Sequence, residues 1–418
     1  MRISAETANE IKTPGLRDLP RNVWAVSVTS FLMDMSSEMV LNLLPLFLAD
    51  VLHVPTVLIG LIEGGAEAVA STLKLFSGWL SDRLRARKWL AVAGYATSAV
   101  AKPFFILSQT WVQVAIPRWL DRAGKGIRTS PRDALVADSV SPRQRGAAFG
   151  VHRAADTAGA LCSMLIALLV VWLAQRNGAF LAERTFRIVV LVSIAPAFLA
   201  VLALAFGAEE VKVSGQRAAP RFAFRSLGRT FMVFIGIVGI FTLGNSSDAF
   251  LTLRAQNVGH GLNVLGILGM LATFNLVYTL VSTPAGSLSD RVGRQQVIVC
   301  GWLAYALIYI GFGLAGAGWE VWALYGLYGI YYGMSYGTAS AFIADLVPAN
   351  VRGTAYGTYN AVLSVLALIS SVVAGVLWQG IGSWQGFGAP APFLFGGVLA
   401  LVAAILLFLW RPGPRIAT

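Results

Sequence analysis

Charge is what this chain has least of. Only 12% of its 418 residues are Asp, Glu, Lys or Arg, against roughly 25% in an ordinary soluble domain. With 56% hydrophobic residues and a mean hydropathy of +0.69, that scarcity excludes a water-soluble globule and implies an integral membrane protein. Cysteine is nearly absent: Cys162 and Cys300 both fall inside apolar runs, so no disulfide framework is expected. Histidine is rarer than its functions require. His53, His152 and His260 are read as lying in or near loops, with no His cluster, Cys pair or metal-ligand spacing among them. An enzyme, a metal centre and a bound cofactor are therefore not expected, and no residue is assigned a catalytic role. A charged n-region followed by a short apolar run and a small-residue cleavage site is also missing at the start, so no cleaved signal peptide is expected.

What is present is a series of long apolar runs. Stretches of the ~20 residues that a ~30 Å hydrocarbon core demands occur twelve times, near 23–48, 56–80, 89–108, 111–136, 147–174, 186–207, 230–253, 263–286, 295–315, 320–345, 354–379 and 391–410. The loops between them alternate in charge. Lys and Arg collect at 83–88, 143–145, 212–229, 291–294 and 411–415, and are absent from 49–55, 107–111, 314–320 and 380–390. The net charge of +12 thus reflects topology, and nucleic acid is not an expected partner. By the positive-inside bias both termini are cytoplasmic, although Arg176, Arg184 and Arg187 on one outer loop run against the pattern. This predicts an all-α integral membrane fold of twelve transmembrane helices in two six-helix bundles. Its parts are a cytoplasmic segment 1–21, a bundle 22–207, a cytoplasmic loop 208–229, a second bundle 230–410 and a tail 411–418.

The two halves repeat. Ser36-Ser37-Glu38 is echoed by Ser246-Ser247-Asp248, GWLSDR at 78–83 by GSLSDR at 286–291, and ADSVSPRQRGAAFG at 137–150 by ADLVPANVRGTAYG at 344–357. Three echoes in one order at an offset near half the chain indicate duplication. Two such halves with a site between them near the midplane is a transporter plan.

The paired loops, Gly78-x-x-x-Asp82-Arg83 and Gly286-x-x-x-Asp290-Arg291-x-Gly293-Arg294, together with arginines inside the fourth span, resemble the major facilitator superfamily. The resemblance covers the whole chain. DRAGKGIRTSPRDALVADS at 121–139 is similar to a prokaryotic branch of it whose substrates are mostly unassigned. The resemblance implies secondary transport by alternating access in a bacterial or archaeal cytoplasmic membrane. It also implies that spans 1, 4, 7 and 10 line a central cavity, and that Asp82, Arg83, Arg145, Asp290, Arg291 and Arg352 act in gating. Two departures stand out: Arg85 replaces a usual glycine, and the Gly-x-x-x-Gly-Pro antiporter run is missing from 154–164. The second counts against a drug antiporter.

The fourth span carries the chemistry. Arg118, Arg122, Lys125 and Arg128 recur at helical spacing, so their cations share a face that lipid cannot take. At ~1.5 Å per helical residue, Asp34, Glu38, Glu67, Arg122, Lys125 and Asp156 all fall in the central third of the membrane. In the second half, Tyr325, Gly329, Tyr332 and Ser335 stand where the first has cations, which suggests a charged first half facing a neutral aromatic wall. Arg118, Arg122 and Lys125, with Asn245, Tyr325, Tyr328, Tyr332 and Asn360, are the candidate substrate contacts for a small anionic or zwitterionic solute. Asp34, Glu38 and Glu67 are the candidate proton-coupling acids, with sodium as the alternative ion. Arg128, Arg132 and Asp133 are read as gate or interface residues. An exporter of amphipathic or cationic drug-like compounds and a lipid flippase are the rival functions. The lipid bilayer and a small-molecule substrate are the only partners implied, and a monomer is expected.

Overall fold

In a lipid core every backbone N–H and C=O must be satisfied within the protein, which leaves continuous helices as the economical solution for apolar runs of this length. The computed structural model of the protein describes residues 19–84, 86–141, 144–176, 178–211, 227–347 and 352–410. Its helices are α1 (Arg21–Leu41), α2 (Leu44–Leu46), α3 (Thr56–Leu84), α4 (Arg87–Ile106), α5 (Trp111–Ser139), α6 (Arg145–Gln175) and α7 (Glu183–Gly207) in the first half. In the second half they are α8 (Gly228–Gly244), α9 (Ala249–Asn257), α10 (Val264–Val292), α11 (Arg294–Leu314), α12 (Gly318–Leu346), α13 (Arg352–Gln379) and α14 (Ala391–Leu409). The twelve spans expected from hydropathy are all present. Ten segments among the described residues are apolar enough to cross a membrane on composition alone; the other two are α5, which carries too much charge, and the Tyr- and Gly-rich α12. Large apolar side chains such as Phe206, Leu307 and Trp319 are 70% or more exposed, as a surface facing lipid tails requires.

The first and seventh spans, which correspond in the repeat, are both broken, though not at matching residues. The first runs through α1, pauses at Asn42-Leu43, and continues through α2 into a π-helical turn, Phe47–Val51. Pro45 cannot donate to the preceding turn, which accounts for that break. The seventh span stops at Gly244 and resumes at Ala249, and Asn245, Ser246, Ser247 and Asp248 are residue types that compete with helical backbone bonding.

The charged helix α5 is seated by its glycines. Gly124 packs against the backbone of Gly94 and Ser98 on α4, and Gly126 against the backbone of Ala70 on α3. Two residues apart on a 3.6-residue helix, they face nearly opposite sides, and only small residues permit such close approach. Lys125 between them is left exposed. The start of α5 is a capping box, in which Gln113 N–H donates to Thr110 Oγ1 at 3.4 Å and Gln113 Oε1 accepts from Thr110 N–H at 3.2 Å. Its repeat partner Glu320 accepts from the N–H groups of Gly316 (2.8 Å) and Ala317 (3.4 Å) ahead of α12. The far ends are also clamped alike: Arg87 meets Asp138 at 2.8 Å and Arg294 meets Asp345 at 2.7 Å.

Between the bundles, close contacts gather at the face opposite the chain termini. Thr56 Oγ1 donates to the carbonyl of Gly375 (3.0 Å), and Thr56 N–H to Oε1 of Gln379 (2.8 Å). Gly60 lies directly against the Ser371 carbonyl. Asp50 accepts from Leu181 N–H (2.8 Å) in its own half and from Nε2 of Gln256 (2.9 Å) in the other. Toward the terminal face the facing side chains are open instead: Glu67, Lys74, Lys125 and Asn360 are all exposed.

Candidate functional site

A cavity of about 460 Å³ lies between the halves beside both helix breaks, lined on one wall by Glu38, Glu63, Glu67, Arg118 and Arg122 and on the other by Asn245, Asp248, Phe274, Tyr325 and Tyr332. A second compartment of about 390 Å³ shares Glu67, Asn245 and Tyr332 with it and extends past Lys74, Tyr356 and Asn360. Volumes of this order suit a small organic solute.

On the first wall the cations differ in how they are used. Arg118 is held by Glu63 of α3 in a two-point pair, Nε to Oε1 at 3.1 Å and Nη2 to Oε2, and its remaining Nη1 is buried with no hydrogen-bond partner among the described residues. One turn on, the buried Nε of Arg122 also has none, although Glu67, Glu38, Glu63 and Asp121 surround it electrostatically. Lys125 is set among Arg122, Asp34, Glu38 and Glu67. Asp121, the acid next to Arg122 in sequence, turns the other way to meet the fully buried Lys102 at 3.4 Å, and Lys102 also donates to Ser37 at 3.1 Å. Asp121 is thus committed to the bundle interior. Arg122 and Lys125 face the cavity-side acids.

The opposite wall corrects one expectation. It is aromatic, but it is not neutral. Asp248 sits in the break between α8 and α9, and its carboxylate accepts from Tyr328 Oη at 3.1 Å and Tyr332 Oη at 3.5 Å. Phe274 packs edge-on against Tyr332, centroids 5.3 Å apart, and Tyr331 stacks on Tyr328 at 5.4 Å, so the phenols that hold Asp248 are themselves fixed. The signal for this acid was the echo of Ser36-Ser37-Glu38 by Ser246-Ser247-Asp248. An aspartate beside a helix break is easily read as a loop residue.

Of the other candidates, Tyr325 and Tyr332 line the cavity and Tyr328 is fully buried behind it. Asn245 lines both compartments, its Oδ1 3.2 Å from Tyr305 Oη, and Asn360 lines the second, exposed. Glu38 and Glu67 line the cavity. Asp34 lies one turn of α1 away, half-buried, with Asp156, Lys125 and Glu38 as electrostatic neighbours. Arg128 is 4% exposed, donates to Ser98 Oγ at 2.6 Å and covers the ring of Tyr95 at 4.7 Å, so it packs within its own half. Arg132 and Asp133 pair with each other at 2.8 Å. His152, read as in or near a loop, lies about two turns into α6. It is buried in α6, with Nδ1 3.6 Å from Asp156. Among the gating candidates, Arg83 lies over the Trp79 ring at 5.3 Å and Arg291 is exposed; the side chains of Asp82, Arg145, Asp290 and Arg352 lie outside the described residues.

The arrangement is that of a binding chamber with fixed charges of both signs, reached from one face and shut at the other. Residues 26–275 and 233–418 match the Major Facilitator Superfamily. The chain is 34% identical over 395 residues, 94% of its length and 95% of the relative's, to an uncharacterised MFS-type transporter of Methanocaldococcus jannaschii. It is also similar to a multidrug resistance protein of Cronobacter sakazakii (26% identity, 76% of this chain, 77% of that one) and to the cis,cis-muconate transport protein of Acinetobacter baylyi (24%, 78% and 80%). Among solved structures, a D323A mutant of the nucleoside transporter NupG superposes with a TM-score of 0.74 at 14% identity, covering 93% of this chain and 99% of that one. The chain belongs to the Major Facilitator Superfamily: it is a multi-pass membrane transporter, not an enzyme.

Proposed function

We propose that this protein is a secondary active transporter that moves a small anionic or zwitterionic solute by alternating access, driven by protons, with both termini in the cytoplasm. The observation that carries the reading is Arg122, a cavity-lining guanidinium whose buried Nε has no hydrogen-bond partner among the described residues. A buried donor left unmade costs about 1–3 kcal/mol, and an anionic group of a solute recovers it. Glu67, within electrostatic reach of Arg122 and Lys125, supplies the coupling. A solute anion that engages the cations weakens their hold on the carboxylate, so solute binding and proton binding become linked.

A second reading has a specific observation behind it. Glu38, Glu67 and Asp248 all face the same cavity, and an exporter of lipophilic cations would use such acids. Thermal unfolding of purified protein against anions, zwitterions and lipophilic cations separates the two. A ligand at ~100 times its Kd adds about 2.7 kcal/mol of stability. Stabilisation by anions or zwitterions that disappears in Arg122→Ala supports the first reading. Stabilisation by lipophilic cations that survives in that variant overturns it.

A further inference from the structure

We infer that the transported solute is a zwitterion whose cationic group, an ammonium or guanidinium, is received by Asp248. The inference rests on the anion-binding role of Arg122 proposed above and narrows it to one substrate class.

The argument begins with where Asp248 stands. A carboxylate in the core of a membrane protein, away from a cation, is costly enough that its presence marks a working site. Most acids of the opposite wall already have a cation beside them: Glu63 holds Arg118, and Glu67 is surrounded by Arg122, Lys125, Arg118 and Lys74. Asp248 differs. The groups that contact its carboxylate are the phenols of Tyr328 and Tyr332, and no salt bridge involves it among the described residues. Two neutral donors orient the carboxylate without neutralising it, and the remaining lone pairs face a cavity that also holds Arg122.

The surroundings fit a cation. Phe274, Tyr325 and Tyr332 line the cavity around Asp248, and ring faces attract ammonium and guanidinium groups. Asp248 is the N-cap of α9, directly after the irregular backbone of residues 245–247, and membrane proteins tolerate irregular backbone at this depth only where it is buried in protein or lines a cavity. One wall then offers an unmet donor and the other an unmet acceptor. A solute carrying both charges satisfies both; a simple anion leaves Asp248 as it is.

The test uses detergent-purified full-length protein and matched probes: 4-aminobutyrate, 6-aminohexanoate and lysine, each beside its Nα- or Nω-acetylated form and its amide. Binding is read by thermal unfolding and isothermal titration. The expected result is that at least one amino acid binds at least tenfold more tightly than its acetylated form, and that Asp248→Asn abolishes this preference while the acetylated anion binds the variant as it binds wild type. Tyr328→Phe, which keeps the carboxylate and the packing, reduces the preference without abolishing it, and guards against an Asp248→Asn protein that fails to fold. Equal binding of free and acetylated forms, unchanged in Asp248→Asn, overturns the zwitterion assignment and leaves the anion site at Arg122 standing. Binding of the amides alone, indifferent to Arg122→Ala, overturns both. No binding by any zwitterion in the panel also overturns the assignment.

Discussion

Glu63 and Arg118 face each other across α3 and α5 as a two-point ion pair, with side chains 9% and 5% exposed, at the edge of the cavity. Arg118 is thus committed to Glu63, whereas one turn on the buried Nε of Arg122 has no hydrogen-bond partner among the described residues. Removing one member of a buried pair typically costs about 3–5 kcal/mol because the other charge is stranded, whereas replacing both by apolar groups is often neutral. Arg118→Met is therefore expected to lower the unfolding midpoint sharply, and the double variant with Glu63→Leu to recover most of it. Equal midpoints for the single and double variants would show that the pair is not a structural unit.

The repeat supplies a graded comparison. Arg87–Asp138 and Arg294–Asp345 are equivalent clamps, but the first pair is 6% and 12% exposed and the second 27% and 30%. Exposed pairs are worth about 0–1 kcal/mol and buried ones several times more to break. Asp138→Ala should therefore destabilise the protein by several-fold more than Asp345→Ala in thermal unfolding. A larger effect at Asp345 would contradict this ordering.

Proton coupling through Glu67 has a separable signature. In proteoliposomes, Glu67→Gln is expected to abolish accumulation driven by a pH gradient while exchange of labelled for unlabelled solute continues, since the cation wall at Arg122 and Lys125 is intact. Loss of both activities would make Glu67 a binding residue, and retention of gradient-driven accumulation would remove it from the coupling mechanism.

The closed face can be held shut. Thr56 and Gln379 are in direct hydrogen-bonded contact across the two halves, so cysteines at both positions, in a background lacking Cys162 and Cys300, should be joined by a short bifunctional thiol reagent. Transport is expected to stop on linkage through a reducible spacer and to return on reduction. Continued transport by the linked protein would show that this face need not open.

Much of this plan was legible in the chain. Apolar run length gave the twelve spans, because the bilayer dictates length directly. The spacing from Arg118 to Lys125 placed the cations on a protein-facing side of α5, because lipid admits no alternative. The partners of those cations were less accessible: that Asp121 turns to Lys102 and Glu63 to Arg118 depends on which faces of α3, α4 and α5 meet, and Gly94, Gly124 and Gly126 set that only once the helices are packed. The packing of Arg128 on Ser98 and Tyr95 depends on the same contact of helices. Asp248 was hidden differently. Its local sequence lies within the apolar run 230–253, and its partners Tyr328 and Tyr332, some eighty residues on, meet it only in the folded chain.

Asp50 has one further consequence. A single carboxylate accepts from Leu181 in its own half and from Gln256 in the other, so the shut face is fastened by bonds whose net worth is modest, about 1 kcal/mol each. Since ~1.4 kcal/mol is a factor of ten in an equilibrium, such a fastening biases the resting population without trapping it. Of its two bonds only the one to Gln256 crosses between the halves, so this acid adds one modest, breakable link to those that Thr56 makes with Gly375 and Gln379 on the same face.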